Sequence, residues 1–385
     1  MNTAMAGAST AATLIASHAA GPGWSGVPGA AGVLGTALGT LSAGNLISRR
    51  GSRTVLIGLY GCAVAGALVA FTAAVSTTMV VLLLGMFLLG LGTGAAQLSR
   101  YLAAELYPPE RRGFALSLIV WAGTVGAIVG PALIAPGARA ASWLGFPALA
   151  GPVLVAVVMT GAAMLASATL RRTPAPPARR TSFAALRRPV VLAPLVSMVC
   201  AQLTMVAVMT MTPLQVEAHG HSLAVLGVVL SAHLIGMFAL APVSGWLADR
   251  WGGRVTIYLG IGFLVVATVA AFGAARMTGL SLSMFLLGYG WNLVFVGGSS
   301  ILSRELPAGE RIQLQGAVDA VVWGTSALAS VGAGALFGFG GYSLVAVVGG
   351  VLALLPIIVL ARRQAPAEPA PPRPPASAAP QRLPR

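Results

Sequence analysis

Four side chains in two neighbouring apolar runs of this 385-residue chain have the types and spacing to hold a soft metal ion. Met205 and Met209 stand i,i+4 in one run, and His233 and Met237 stand i,i+4 in the next. In a helix that spacing puts both members of a pair on one face. Thioethers favour Cu(I), and imidazole also suits copper. The same residues have a plainer use, because Met is an ordinary packing residue in apolar helices. With 13 Met in the chain an M-x-x-x-M arises readily by chance, whereas H-x-x-x-M is rarer because there are only 4 His. An ionisable residue inside a membrane span is by default a candidate for function. Metal site and packing stripe both stand open on these residues alone.

The elements that must position the two pairs follow from composition. The chain is 57% hydrophobic and 8% charged, with a mean hydropathy of +0.88. Too little charge is present to clothe so much apolar surface in water, and repeated apolar runs near 20 residues predict an all-α polytopic membrane protein. Helices satisfy their backbone polar groups locally, which lipid demands; strand alternation is absent, so a β-barrel is not expected. Twelve transmembrane helices are predicted, at 3–20, 28–47, 54–75, 79–99, 114–136, 147–170, 190–212, 223–247, 255–275, 279–302, 315–338 and 341–361. The first is the weakest, rich in Ala, Ser and Thr. No basic residue precedes Arg49, so no charged n-region of a signal peptide is expected.

Net charge is +15, and every Lys/Arg position is Arg. These Arg sit in short clusters between apolar runs, which is a topology device and not a nucleic-acid footprint. The clusters at 49–53, 111–112, 171–188, 250–254, 304–311 and 362 onward fall on one side of the twelve spans, leaving Arg139 and Arg276 on the other. Both termini are therefore expected in the cytoplasm. The chain divides into a first six-helix half (1–170), a Pro- and Arg-rich cytoplasmic linker (171–189), a second six-helix half (190–361) and a Pro/Ala-rich tail (362–385) expected to be disordered. Cys62 and Cys200 both lie in apolar runs and offer no disulfide framework. No catalytic triad, phosphate loop or zinc motif is found, so an enzyme is not expected.

The two halves repeat. GNLISRRGSR at 44–53 aligns with GWLADRWGGR at 245–254, Leu98-Ser99-Arg100 with Leu302-Ser303-Arg304, Glu110-Arg111 with Glu310-Arg311, and Val120-Trp121 with Val322-Trp323. Internal repeats of this kind mark transporters whose site lies near the bilayer midplane at the repeat interface. At 1.5 Å per residue from the turn, Met205 is about 12 Å deep and His233 about 16 Å, where half a bilayer core is about 15 Å. Met198 shares the Met205 face; Met211 does not. His18, His219 and His221 fall near the same ends of their spans, where they capture metal at the mouth or simply form polar turns.

The repeated loop, G-x-L-x-D-R-x-G-x-R, resembles that of the major facilitator superfamily. The second copy holds Gly245, Leu247, Asp249, Arg250, Gly252 and Arg254; the first holds Gly44, Leu46, Arg49, Gly51 and Arg53, with Ser48 where the Asp belongs. The resemblance implies a transporter in the plasma (inner) membrane, with the Asp and its Arg neighbours latching a cytoplasmic gate. It assigns that gate to Arg49, Arg53, Asp249, Arg250 and Arg254, and leaves the first copy without its ion pair. Gly126-x-x-x-Gly130-Pro131 is similar to part of the family's antiporter motif, though such small residues also serve close packing. The Met/His pairs look like those of a copper-importing branch linked to cytochrome oxidase assembly, which implies Met205, Met209, His233 and Met237 as ligands of a transported copper ion. The alternative is a facilitator exporting or importing a small organic solute or drug, with proton antiport as one mode and Asp319 a candidate for coupling or for pairing with Arg304 or Arg311. No cofactor is expected. The expected partners are the lipid bilayer and the cargo, and the expected state is a monomer.

Overall fold

In the computed structural model, residues 1–105, 124–170, 184–272, 277–305 and 308–361 are described. Every regular element among them is helical, as an apolar chain in lipid requires. The first half contains α1 (Asn2–Ala20), α2 (Val27–Arg50), α3 (Ser52–Ser76), α4 (Met79–Glu105), α5 (Thr124–Ala132), α6 (Ile134–Trp143) and α7 (Ala150–Ala168). The second contains α8 (Pro189–Ala218), α9 (Leu223–Phe238), α10 (Ala241–Trp251), α11 (Gly253–Phe272), α12 (Met277–Glu305) and α13 (Ala308–Ala361). The linker from 171 to 183 and the tail from 362 lie outside the described residues.

Eight described helices are long and apolar enough to cross a bilayer, or nine if the bent pair α5–α6, with its 47° angle, is one span. Two physical reasons separate this number from twelve. The segments α1 and α2 form helices as predicted, but Ala, Gly, Ser and Thr hold their hydropathy down. The 54 residues of α13 run through a break at Gly340 and Gly341, where Gly341 takes φ 66°, and each side of the break is itself long enough to span.

The two loop motifs adopt one conformation. Gly51 ends α2 at φ 79°, ψ 153°, and Gly252 ends α10 at φ 85°, ψ 155°. This region of backbone space is essentially closed to residues with a Cβ. In each case the glycine N–H caps the helix, on Ile47 and Ala248 respectively. The spacing read from sequence is thus a backbone requirement repeated in both halves.

Each half has its own apolar core. One is built from α1, α3, α4 and α7. The other is built from α8, α9, α11, α12 and α13, joined by Leu14 and Ile134 from the first half. Small residues allow the helices to meet backbone to backbone, as membrane interiors favour. Gly126 and Gly130 face α1, where Thr3 donates to the Gly126 carbonyl at 2.7 Å, so both glycines take part in packing. In the second half α12 is central: α8, α9 and α11 all lie against it.

Candidate functional site

The Met/His quartet is arranged about α12. The His233 ring donates from Nδ1 to the Met284 carbonyl at 3.0 Å. That bond fixes the tautomer and leaves Nε2 with a free lone pair. Among the described residues, Nε2 of His233 is the buried side-chain polar atom without a hydrogen-bond partner, and the residue is 0% exposed. Met237, one turn on, follows the same helix: a Cβ at Gly288 would overlap the His233 carbonyl oxygen and lie 2.9 Å from the Met237 nitrogen.

The Met pair on α8 faces the same helix. Met198 Sδ would lie 2.8 Å from a Cβ on Gly298, and Thr212 Oγ1 is 3.3 Å from Met284 Sδ. Both intervals, 198 to 212 and 284 to 298, are fourteen residues in antiparallel helices. Met205 therefore stands level with residue 291 and Met209 with residue 287, the heights at which Met237 and His233 meet α12. The two pairs share a depth, and α12 is the surface both turn toward. Met205 and Met237 are buried and Met209 is half-buried.

The histidines at the mouth play other parts. His18 Nε2 meets Glu217 Oε1 at 2.9 Å, linking α1 to α8 across the halves. His219 donates from Nδ1 to the Gln215 carbonyl of its own helix at 2.9 Å. His221 is exposed and lines a cavity of about 310 Å³ with His18 and Glu217. Among the described residues no three His, Cys, Asp or Glu side chains cluster.

This end of the molecule, poor in Arg, is where the halves close on each other. Ser330 of α13 donates to the Gly26 carbonyl at 2.7 Å. Ser25 Oγ lies 3.4 Å from Met211 Sδ, and Ser231 of α9 reaches the Ile128 carbonyl of α5 at 3.4 Å. Gly334 packs on Gly23, and Gly227 on Pro131. On α9 the face touching the first half carries Gly227 and Ser231, whereas Met237 lies about 80° to 120° and His233 about 120° to 160° around the helix.

At the Arg-rich end, Asp249 pairs with Arg304 at 2.9 Å, α10 to α12 within one half. Arg304 thus has Asp249 as a partner. Arg250 sits over the Trp246 ring, 5.7 Å from its centroid, and Arg49 and Arg254 are exposed. Arg53 is half-buried. The side chains of Ser48, Arg311 and Asp319 lie outside the described residues.

One constellation is absent from the sequence reading. Trp291 Nε1 donates to Gln202 Oε1 at 2.7 Å, and Gln202 Nε2 donates to Ser326 Oγ at 2.8 Å. Trp291 stacks on Phe295 with centroids 4.8 Å apart and meets Trp323 edge-on at 6.4 Å. The W-x-x-x-F spacing and the repeated Val-Trp were the available signals, but neither says which way the rings turn.

A sequence model of the Major Facilitator Superfamily matches residues 1–221 and 195–384. The chain is similar to YdeG, an uncharacterized MFS-type transporter of Bacillus subtilis (strain 168), with 30% identity over 379 residues, 92% of this chain and 87% of that one. It is similar also to RfnT, a riboflavin transporter of Brucella anthropi, with 28% identity over 321 residues, 81% of this chain and 79% of that one. Among solved structures it resembles a partially occluded inward-open conformation of the xylose transporter XylE from E. coli, with TM-score 0.68 at 14% identity, covering 95% and 96% of the two chains. A bacterial homolog of the human lysosomal transporter Spinster, in an inward-facing and occupied conformation, gives TM-score 0.67 at 13% identity, covering 96% and 97%.

Proposed function

Because the chain belongs to the Major Facilitator Superfamily, a membrane transporter and not an enzyme, we propose that it carries a small organic solute by alternating access. The observation that carries this reading is the closure of the halves on each other at the Arg-poor end among the described residues. Among the described residues, the cross-half contacts of Gly26, Ser25 and His18 belong to the Arg-poor ends of their helices, and that of Ser231 lies about halfway along α9. A carrier's cargo sits between its halves near the midplane, so a seam at one end leaves a cleft toward the other. The Arg asymmetry assigns that other end, and both termini, to the cytoplasmic side of the plasma membrane. The conformation is then inward-facing. The riboflavin-transporting relative supports an organic cargo.

A second reading is favoured by a different observation. An unpartnered imidazole nitrogen in a 0% exposed residue calls for an occupant, and thioethers stand at its depth. Copper as cargo, held by His233, Met237, Met205 and Met209, supplies one. The organic reading ranks first because these side chains turn toward α12, inside one half, and away from the α9 face that meets the other half.

Cells expressing the chain, given radioactive riboflavin or radioactive copper with and without a proton uncoupler, decide between the two. Accumulation of the organic solute, unchanged in His233→Leu, is expected. Copper accumulation that is lost in Met205→Leu, Met237→Leu and His233→Leu but kept in Met211→Leu would replace the organic reading with the metal one. Loss of accumulation with the uncoupler would mark proton coupling.

A further inference from the structure

Trp323, the exposed member of the aromatic cluster, stands on the face of α13 that meets the first half. Trp323 precedes Ser330 by seven residues, nearly two turns, so both lie on one face of α13. Ser330 touches Gly26 of the first half, and Gly334 on the same face touches Gly23. Trp323 therefore points at the first half from about 10 Å further along the helix, past the seam. Despite that direction it is 46% exposed. The lipid-facing residues of this stretch, Leu328 and Val331, lie on another side of the helix, roughly 80° to 140° away. The exposed indole is thus on the side of α13 that a cleft between the halves would occupy.

Its backing is rigid. Trp291 is buried, its N–H tied to Gln202 and its ring stacked on Phe295. Gln202 is itself buried and held by Ser326, so the amide is spent on positioning. An edge-on contact at an interplanar angle of 62° supports Trp323 from behind and leaves a ring face open. The sequence has no charged residue from 189 to 216, 278 to 302 or 320 to 361, so these stretches offer no counter-ion to an ionised group.

We propose that Trp323, backed by Trp291 and Phe295, is a stacking platform in the transport cleft, and that the cargo presents a flat, uncharged aromatic ring system. This rests on the organic-solute reading and names its substrate class. Stacking on an aromatic side chain is sequence- and substituent-tolerant because every flat ring has a π-face.

The test uses purified full-length protein in lipid nanodiscs and riboflavin as a fluorescent planar probe. Saturable quenching of riboflavin emission is expected with the wild type. Trp323→Ala should weaken binding about tenfold, equivalent to about 1.4 kcal/mol. Trp323→Phe keeps a π-face and should stay within about threefold of wild type. Trp323 is half-exposed, so its truncation opens no void in the core, and an unchanged gel-filtration profile checks the fold. Equal riboflavin affinity in wild type and Trp323→Ala overturns the platform, as does saturable binding of xylose but not riboflavin. Organic-solute uptake that is unaltered by Trp323→Ala overturns the platform while leaving the transport reading intact. Copper uptake without solute uptake removes the reading beneath it.

Discussion

Gly26→Val should prevent the Arg-poor end from closing. A Cβ at residue 26 would overlap the Ser330 carbonyl oxygen and stand 2.5 Å from its carbon, where real Cβ atoms keep at least 3.0 Å. The obstacle is backbone, so no rotamer change relieves it. The helices must part by about 1 Å or more, at the 1–3 kcal/mol typical of overpacking. Parting also weakens the Ser330 to Gly26 hydrogen bond, worth roughly 0.5–1.5 kcal/mol net. The sum is about 2–4 kcal/mol against the closed seam, a shift of roughly 30- to 1000-fold in the conformational equilibrium. Spin labels at Ala20→Cys and Phe339→Cys, beside the seam, would report the gap after Cys62 and Cys200 are replaced. Electron–electron distance measurements should show a longer population in Gly26→Val, with transport reduced. Gly29→Ala is the graded control, since its Cβ meets the Ser330 hydroxyl at 2.6 Å, a side-chain end that can rotate. Gly58→Ala meets nothing within 4 Å and should behave as wild type. Distances and transport in Gly26→Val that match wild type would refute the seam as the closing contact.

Gly252→Ala and Gly51→Ala should each cost about 1–3 kcal/mol, because alanine is forced to a backbone region reserved for glycine; Tm in detergent checks this, and Gly245→Ala, with open space around it, should leave Tm unchanged. Asp249→Asn removes an ion pair whose carboxylate is 81% exposed, so Tm should hardly move while transport falls; equal transport at equal protein level would take Asp249 out of the gate. Gln202→Leu strands the buried Trp291 N–H and the Ser326 hydroxyl, at roughly 1–3 kcal/mol for each unpaired group. Thermal unfolding of Gln202→Leu at wild-type temperature would show that the network holds nothing in place.

The helical architecture and the repeat were legible because each rests on local chemistry. Apolar length dictates a span, and the loop glycines 51 and 252 answer a backbone need that sits within one turn. That the two Met/His pairs stand level with each other was legible too, since helix rise converts residue count into height. Which neighbour each face meets was not. Spacing put Met211 off the quartet face but could not say that it reaches Ser25 of the other half. Likewise His18 read as a mouth histidine, whereas its partner Glu217 lies 199 positions away and is brought near only by the docking of α1 on α8. Trp323 carried a repeat signal and no direction; its outlook is fixed by Ser330, two turns away, meeting a glycine from the first half. Hydropathy undercounts α1 and α2 for a related reason. Helices that meet their neighbours through Gly, Ala and Ser are held by close approach, and a scale of oiliness does not score it.

The glycine seam at the Arg-poor end has an electrical side. Where a methyl group finds no room, a water molecule finds none, and without a file of waters protons have no wire to follow. On the inward-facing reading the seam would be the insulator of the carrier, with most of the membrane voltage falling across the packed backbone at the Arg-poor end. Each elementary charge moved through 100 mV is worth about 2.3 kcal/mol. A solute resting in the cleft shares the potential of the compartment it opens to and does no electrical work on arriving. That work is done when the halves rock and the insulating layer passes from one side of the cargo to the other. An uncharged cargo escapes it altogether, so its exchange rate should be indifferent to voltage unless the carrier itself moves charge.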